Sequence, residues 1–262
     1  MNLIQEELQA AQSRMLKTFY GTSSKTPLVE LSRENVAIVE AMIQNDSAYL
    51  KSSDATAEPK YNEKGNLVYG GSTAYWMTKL KIVLIDGEAV TDKEYHNWVE
   101  GAVEAVDREN STHLNADTVG RNEITNRIAE IEKVALVDYL KRPDATGLKL
   151  FQIISKKTHA ASGARMNPSF ASKFCHYACF YLFEGKDEQD NYSIYDNVLK
   201  KVLPLYTSFY GLRKRNLGDY AEYRKIVDEI ISISQAGISR NGFDHLLWYY
   251  FKGRIGSIDS VI

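Results

Sequence analysis

Residues 167–206, NPSFASKFCHYACFYLFEGKDEQDNYSIYDNVLKKVLPLY, predict two apolar helices that are joined by a polar loop. Asn167 is a residue type that caps helices through its side chain, and Pro168 suits the first helical position. The first helix is therefore expected to begin here and to run through Phe183, with Lys173 near its start. Apolar residues at spacings of three and four predict one buried face: Phe170, Phe174, Ala178, Tyr181 and Leu182.

A second helix is predicted to follow the polar, glycine-containing residues 184–191. It starts around Ser193 and has Asp196 in its first turn. Its apolar face is formed by Val198, Val202 and Leu205. The stretch thus places one lysine and one aspartate at the starts of two buried helices, and we interpret the rest of the chain as scaffold for this pair.

The rest of the chain has helical periodicity almost throughout, which predicts an all-α fold. Further helices are expected over residues 2–19, after a Ser32 cap, and over residues 91–106, 119–140, 148–157, 219–235 and 241–252. Polar and turn-forming residues between about 52 and 71 predict a mobile loop or a small β-hairpin. The run 80–85 is ambiguous between helix and strand.

Composition is that of an ordinary globular protein, with 262 residues, 44% hydrophobic and 25% charged. No apolar run reaches about 18 residues and no signal-peptide pattern is present, so we expect a cytoplasmic protein without a membrane partner. Cys175 and Cys179 lie one helical turn apart, which favours buried thiols over a disulfide. A metal site that used them with His176 would need two further ligands, and no metal is expected.

Charge is distributed unevenly along the chain. The formal net charge is −2, yet residues 141–225 hold fifteen Lys or Arg and eight Asp or Glu, a net charge of +7, which leaves −9 for the rest. A basic block on an acidic body is what binding to a phosphate backbone requires. Solvated helix faces with uneven charge are the alternative interpretation.

One segment of the chain resembles the active-site segment of the helix-hairpin-helix DNA glycosylases. It comprises Pro168-Ser-Phe-Ala-Ser-Lys173, an apolar helix, and Tyr192-Ser-Ile-Tyr-Asp196-Asn-Val. It is most similar to a divergent 8-oxoguanine DNA glycosylase-like branch, in which Pro-Gly-hydrophobic-Gly-x-Lys precedes Pro-x-Asp. Residues 242–252, GFDHLLWYYFK, resemble the C-terminal helix of divergent members.

The resemblance covers residues 150–254 and implies a two-lobed helical fold with Lys173 and Asp196 lining the cleft. We expect an N-terminal helical region, residues 1–140, and a helix-hairpin-helix catalytic region, residues 141–262. The sequence departs from the family pattern in three respects. Ser169 and Ala171 replace the two hairpin glycines. The interval of twenty-three positions from Lys173 to Asp196 is longer than is usual in the family, and the iron–sulfur cysteines of some relatives are absent.

The resemblance also implies roles for individual residues, with Lys173 as the nucleophile and Asp196 as the catalytic aspartate. A carboxylate stabilises the positive charge that develops at C1′ as the N-glycosidic bond breaks. A neutral lysine amine attacks C1′ and forms a Schiff base, which permits strand cleavage by β-elimination. DNA contacts are expected from Arg165, Ser169, Ala171, Ser172, Arg213, Lys214 and Arg215. An aromatic wall for a flipped base is expected from Tyr177, Phe180, Tyr195, Tyr249 and Tyr250.

The function implied is that of a DNA glycosylase, with AP-lyase activity, that removes an oxidised purine such as 8-oxoguanine from duplex DNA in base excision repair. No cofactor is expected, and protein partners are left open. One alternative keeps this chemistry but acts on a modified nucleotide or base in an antiviral, anti-phage defence system. Another is a catalytically silent helical module that binds nucleic acid or a partner protein.

Overall fold

The computed structural model describes residues 16–21, 27–110, 112, 114, 118–159 and 164–252. Within these ranges the chain forms eleven α-helices and two small antiparallel sheets, so the predicted all-α class is confirmed. The helices are α1 Arg33–Ile43, α2 Ser47–Ser53, α3 Thr73–Leu84, α4 Asp92–Asn110, α5 Thr118–Ala129, α6 Lys133–Lys141, α7 Lys149–Ser155, α8 Pro168–Leu182, α9 Asn197–Phe209, α10 Tyr220–Ser234 and α11 Arg240–Phe251. The strands are β1 Thr18–Phe19, β2 Leu28–Val29, β3 Pro59–Tyr61 and β4 Leu67–Gly70, and a 3-10 helix spans Asp187–Asp190. None of the helices in these ranges has the length and apolar character needed to cross a bilayer.

The chain divides into two compact units, one of residues 47–192 and one of residues 1–46 with 193–262. The predicted division at residue 140 coincides with neither boundary. Helices α7 and α8 follow residue 140 in the chain, but α8 packs on α3 and α4, and α7 packs on α5. They complete the same core as the helices before them, which is why the boundary falls later, between Tyr192 and Ser193.

In the unit of residues 47–192, α3, α4 and α8 pack against one another. Helix α4 begins where predicted, because Thr91 and Glu94 form a reciprocal capping box. Its buried face includes Val99, Ala102 and Val106, while Trp98 is half-buried. The run 80–85, ambiguous in the sequence, is helical through Leu84.

The prediction of a single helix over residues 119–140 is wrong, because two helices, α5 and α6, occupy these residues. The backbone of Glu132 leaves the helical region, with ψ at 134°. Ile131 closes the end of α5 with a bond from its amide to the Ile128 carbonyl. Apolar spacing continues across the break, so periodicity alone does not reveal it.

The hairpin predicted between residues 52 and 71 is present as β3 and β4. The indole of Trp76, on α3, donates to the Gly70 carbonyl at 2.7 Å and so ties the hairpin to the helix that follows it. The same ring lies against Gly101 of α4. A Cβ atom at Gly101 would lie 2.3–2.6 Å from three ring carbons of Trp76.

Gly101→Ala is therefore expected to destabilise the protein by about 1–3 kcal/mol, because a rigid ring has to move to accept the methyl group. Urea or thermal unfolding measures the effect. Gly120→Ala is the matched control: that helical glycine of α5 has its nearest neighbour atom, of Thr158, at 3.4 Å. It should be neutral or stabilising, since alanine favours helix. Equal stability of the two variants would contradict the packing assigned to Trp76.

In the other unit, α11 packs on α1, α9 and α10. Ser32 caps α1 through the Asn35 amide, as predicted, and Val36, Val39, Met42 and Ile43 are buried. Most of the helix predicted over residues 2–19 lies outside the described residues, which begin at residue 16. At Thr18 and Phe19 the prediction is wrong, since these residues pair as β1 with the fully buried β2. The buried Asn35 amide holds this pairing by donating to the carbonyls of Lys17 and Glu30.

Candidate functional site

Lys173 lies on α8, which starts at Pro168 as predicted. The predicted side-chain cap by Asn167 is wrong, because its amide nitrogen instead donates to Thr158 Oγ1 at 3.0 Å and to the Arg165 carbonyl at 3.2 Å. Asn167 therefore fixes the loop that precedes the helix. Lys173 is the sixth residue of α8, in its second turn, where the field of the helix N-terminus has faded.

Three of the predicted site residues converge on the C-terminal end of α4. The Lys173 ammonium nitrogen, Nζ, donates to the Asn110 carbonyl at 3.0 Å, and the Tyr177 hydroxyl donates to Asn110 Oδ1 at 2.9 Å. Arg165 Nη2 donates to the Thr112 carbonyl at 3.4 Å. Carbonyls at a helix C-terminus attract cations, so this end of α4 gathers a lysine, an arginine and an aromatic side chain.

Asn110 organises this convergence and was not among the residues predicted from the sequence. Its carbonyl and its side-chain oxygen accept from two residues of α8 that lie one turn apart, while its Nδ2 donates to the Val106 carbonyl. An asparagine at the expected end of a helix was the only available signal. The Lys173 bond persists in either protonation state, since both the ammonium and the neutral amine carry N–H donors.

Asp196 lies at the N-cap of α9. The second helix starts at Asn197 and not around Ser193, because a segment without regular secondary structure precedes it. The Asp196 carboxylate accepts from the Val198 amide at 2.5 Å, which satisfies one of the unpaired donors at the helix start. One carboxylate oxygen is therefore held by the backbone of α9, and the orientation of the group is fixed.

The segment that carries Asp196 is held by tyrosine hydroxyls from α10. Tyr220 donates to the Ser193 carbonyl at 2.7 Å, and Tyr223 donates to the Ile194 carbonyl at 2.6 Å. Tyr195, within the segment, donates to the Leu217 carbonyl at 2.8 Å and is in edge contact with both α10 rings. Two successive carbonyls before Asp196 and the side chain of Tyr195 are thus each held by a specific hydrogen bond.

Two lysines of the same unit come within electrostatic range of Asp196, and neither was predicted from the sequence as a site residue. Burial lowers the pKa of Lys200, against the opposing effect of the Asp196 charge. Its ammonium lies 4.3 Å from the centre of the Tyr195 ring. Burial also lowers the pKa of Lys252, which lies 3.8 Å from the Trp248 ring centre and also experiences the Asp196 charge. Lys200, one turn after an aspartate at a helix start, could have been found from its spacing.

Lys173 belongs to the unit of residues 47–192 and Asp196 to the other unit. The cleft that the two residues are expected to share stays a prediction. The aromatic candidates divide in the same way, with Tyr177 and Phe180 on α8 and the other three in the second unit. The Phe180 ring stacks against the His176 ring, with the ring centres 6.2 Å apart. Tyr195 and Tyr250 are buried, and Tyr250 donates to the Pro27 carbonyl, whereas Tyr249 is half-buried.

The residues expected to contact DNA differ in accessibility. Arg165, Arg213 and Lys214 are exposed and Ser169 is half-buried. Ala171 and Ser172 are fully buried, and Ser172 donates to the Ser169 carbonyl, so neither offers a surface to DNA. These two assignments are corrected: helical packing of α8 covers them.

Arg215 differs from its two neighbours. Its guanidinium bonds to the carboxylates of Glu222 and Glu229, and these bonds raise its pKa above the ordinary value. Arg215 therefore ties the loop to α10, and its charge is already compensated. Of the predicted cluster, Arg213 and Lys214 remain as the exposed cations.

Cys175 and Cys179 are buried free thiols, as predicted, and the Cys179 thiol faces the Leu140 carbonyl at 3.6 Å. Among the residues that the structure describes, no three His, Cys, Asp or Glu side chains are grouped so as to hold a metal ion. In comparisons with known proteins, no family model, curated protein or solved structure matches the chain.

Proposed function

We propose that this protein is a DNA glycosylase with lyase activity that excises an oxidised purine from duplex DNA. The fixed position of the Asp196 carboxylate carries this proposal. Its N-cap bond and the clamped segment before it preorganise a negative charge, and preorganised charge is what a developing cation at C1′ requires. The resemblance of residues 168–198 to the glycosylase active-site segment adds to this.

The chemistry assigns separate steps to the two residues. As the N-glycosidic bond breaks, its electron pair leaves with the base, and the Asp196 carboxylate stabilises the cationic sugar. The neutral Lys173 amine forms a bond to C1′, and ring opening gives an iminium ion. Loss of a C2′ proton then expels the 3′ phosphate by β-elimination. Lys173 releases its excess proton to water before it attacks, and water also accepts the C2′ proton.

Borohydride trapping tests this proposal. The protein is incubated with duplexes that contain 8-oxoguanine or an abasic site and is then reduced, so that an iminium becomes a stable covalent adduct. An adduct together with a cut strand is the expected result. Duplex binding that weakens with salt, without excision or adduct, would refute the enzymatic assignment. Excision only from free modified nucleotides would refute duplex DNA as the substrate and indicate the defence-type reaction.

A second candidate function is a nucleic-acid binding module without catalysis. The contact of Lys173 with the Asn110 carbonyl favours it, because a purely structural lysine would make the same bond to join α8 to the end of α4. The basic block supports both candidates. It contributes +3 in residues 141–192 and +4 in residues 193–225, so neither unit alone carries the excess charge.

Reversal of two exposed charges tests the nucleic-acid surface that both candidates share. The double variant Arg213→Glu/Lys214→Glu should weaken duplex binding for every sequence. Each lost phosphate contact should reduce the slope of log K against log salt by about 0.9. Fluorescence anisotropy at several salt concentrations measures both quantities.

The matched control is Lys60→Glu/Lys64→Glu, which reverses two exposed lysines of the β3–β4 hairpin, outside the basic block. This variant should retain the binding and the salt slope of the unmodified protein. Equal losses in both double variants would show that net charge, and not a defined surface at Arg213 and Lys214, determines binding.

A further inference from the structure

Buried tyrosines in the unit that contains Asp196 donate through their hydroxyls to main-chain carbonyls, among them Tyr206, Tyr220 and Tyr223. Tyr220 and Tyr223 bond the carbonyls of Ser193 and Ile194, in the short segment that leads into Asp196. Tyr206, on α9, bonds the Val29 carbonyl of β2 at 2.6 Å. Two of these bonds therefore act on the Asp196 segment, and the third acts elsewhere in the same unit.

The α10 hydroxyls remain donors under ordinary conditions. Burial raises the pKa of Tyr223 well above its usual value, and the nearby charges of Asp244 and Asp196 raise it further. The Tyr220 and Tyr223 rings stack with centres 6.2 Å apart, which restricts their movement. The hydroxyls thus form a rigid pair of donors.

The bonded carbonyls lie close to Asp196 along the chain. Fixing the carbonyls of Ser193 and Ile194 sets the direction of the backbone that enters α9. Asp196 then reaches the Val198 amide with an extended backbone, at φ −118° and ψ 150°. Release of the carbonyls would let Asp196 rotate away from this cap, so the orientation of its carboxylate depends on α10.

We propose that Tyr220 and Tyr223 are positioning residues that orient the Asp196 carboxylate through the backbone of residues 193–195. The catalytic part of this assignment rests on the proposed function, in which that carboxylate stabilises the cationic sugar. Neither tyrosine needs to touch the substrate. Their effect is to keep the carboxylate in one orientation, and a misplacement of about 1 Å lowers a catalytic rate by up to about 100-fold.

The test compares Tyr223→Phe with Tyr206→Phe. Both tyrosines are fully buried, both donate at 2.6 Å to a carbonyl, and each substitution removes one hydroxyl. Both variants should therefore lose a similar amount of thermal stability. Only Tyr223→Phe should lower kcat for base excision, by about 10- to 100-fold, with KM unchanged.

A second measurement is independent of catalysis. The Val198 amide is protected from hydrogen exchange by its bond to Asp196, so its exchange rate reports the orientation of the carboxylate. The rate should rise in Tyr223→Phe and stay unchanged in Tyr206→Phe. Tyr220→Phe, which removes the neighbouring bond, provides a second variant if Tyr223→Phe does not fold.

The outcomes distinguish two claims: that the tyrosines position Asp196, and that this position matters for catalysis. If both variants show the same Val198 exchange, or if kcat falls without a change in that exchange, the tyrosines do not position Asp196. If the Val198 amide exchanges faster while kcat is unchanged, the orientation of the Asp196 carboxylate is not important for catalysis. If the unmodified protein has no excision activity, the proposed function is refuted. If Tyr223→Phe still speeds exchange of the Val198 amide in that case, the structural link between α10 and Asp196 holds.

Discussion

Replacement of Asp196 with asparagine should slow base excision roughly 100- to 1,000-fold, because in the proposed function this carboxylate stabilises the developing cation and asparagine carries no charge. Asparagine is about as good an N-cap as aspartate, so α9 should keep the bond from the Val198 amide and its stability. DNA binding should persist or tighten, since one negative charge is removed near a polyanion. Single-turnover excision and duplex binding measure the two effects separately.

Asp219→Asn is the matched control for this variant. Asp219 caps α10 through the amides of Ala221 and Glu222, so the same chemical change is made at another helix start of the same unit. This control should keep its excision rate. Full activity in Asp196→Asn would overturn the assignment of the carboxylate and favour the binding module, whereas equal losses in both variants would indicate a general electrostatic effect.

Much of the helical fold could be predicted from local sequence, because local interactions define these helices. Ser32, Asp219 and the Thr91–Glu94 pair satisfy amides of the turns that follow them. Each effect acts within about one turn, so a single sequence reveals it. The turn of the β3–β4 hairpin is likewise local, since Asn62 accepts from the amides of Lys64 and Asn66.

Features that depend on distant partners could not be predicted in this way. β1 has only two residues, and its pairing with β2 depends on Asn35, seventeen positions after Thr18. The boundary between the two units depends on α8 packing against α3 and α4, which precede it by many residues. Periodicity reveals which face of a helix is apolar, but it does not identify the helix that covers this face.

In the candidate site, too, the partners of single residues could not be predicted from the sequence. The sequence suggested Lys173, Tyr177 and Arg165 for three different roles, yet the structure places the first two against Asn110 and the third against Thr112. Asn167 has the residue type of a cap, but distant acceptors compete for its amide. A side chain with several polar atoms takes the partners that the folded chain supplies, and only tertiary structure reveals them.

Replacement of Lys173 with glutamine should abolish the borohydride-trapped adduct and strand cleavage, because glutamine has no amine that can form an iminium ion. The bond from the Tyr177 hydroxyl to Asn110 Oδ1 is untouched by this change, so α8 keeps a contact with the end of α4. Duplex binding should change little, since one charge among many phosphate contacts is lost. Adduct formation on an abasic duplex and binding of the same duplex measure the two properties.

Lys200→Gln is the critical control, because Lys200 is a rival nucleophile. It lies in the same unit as Asp196, and burial lowers its pKa, which favours the neutral amine. If Lys173 is the nucleophile, Lys200→Gln keeps the adduct. An adduct that survives in Lys173→Gln and disappears in Lys200→Gln would transfer the role to Lys200. Base excision that survives in both variants, leaving abasic sites uncut, would mean that water is the nucleophile and that only Asp196 is required for catalysis.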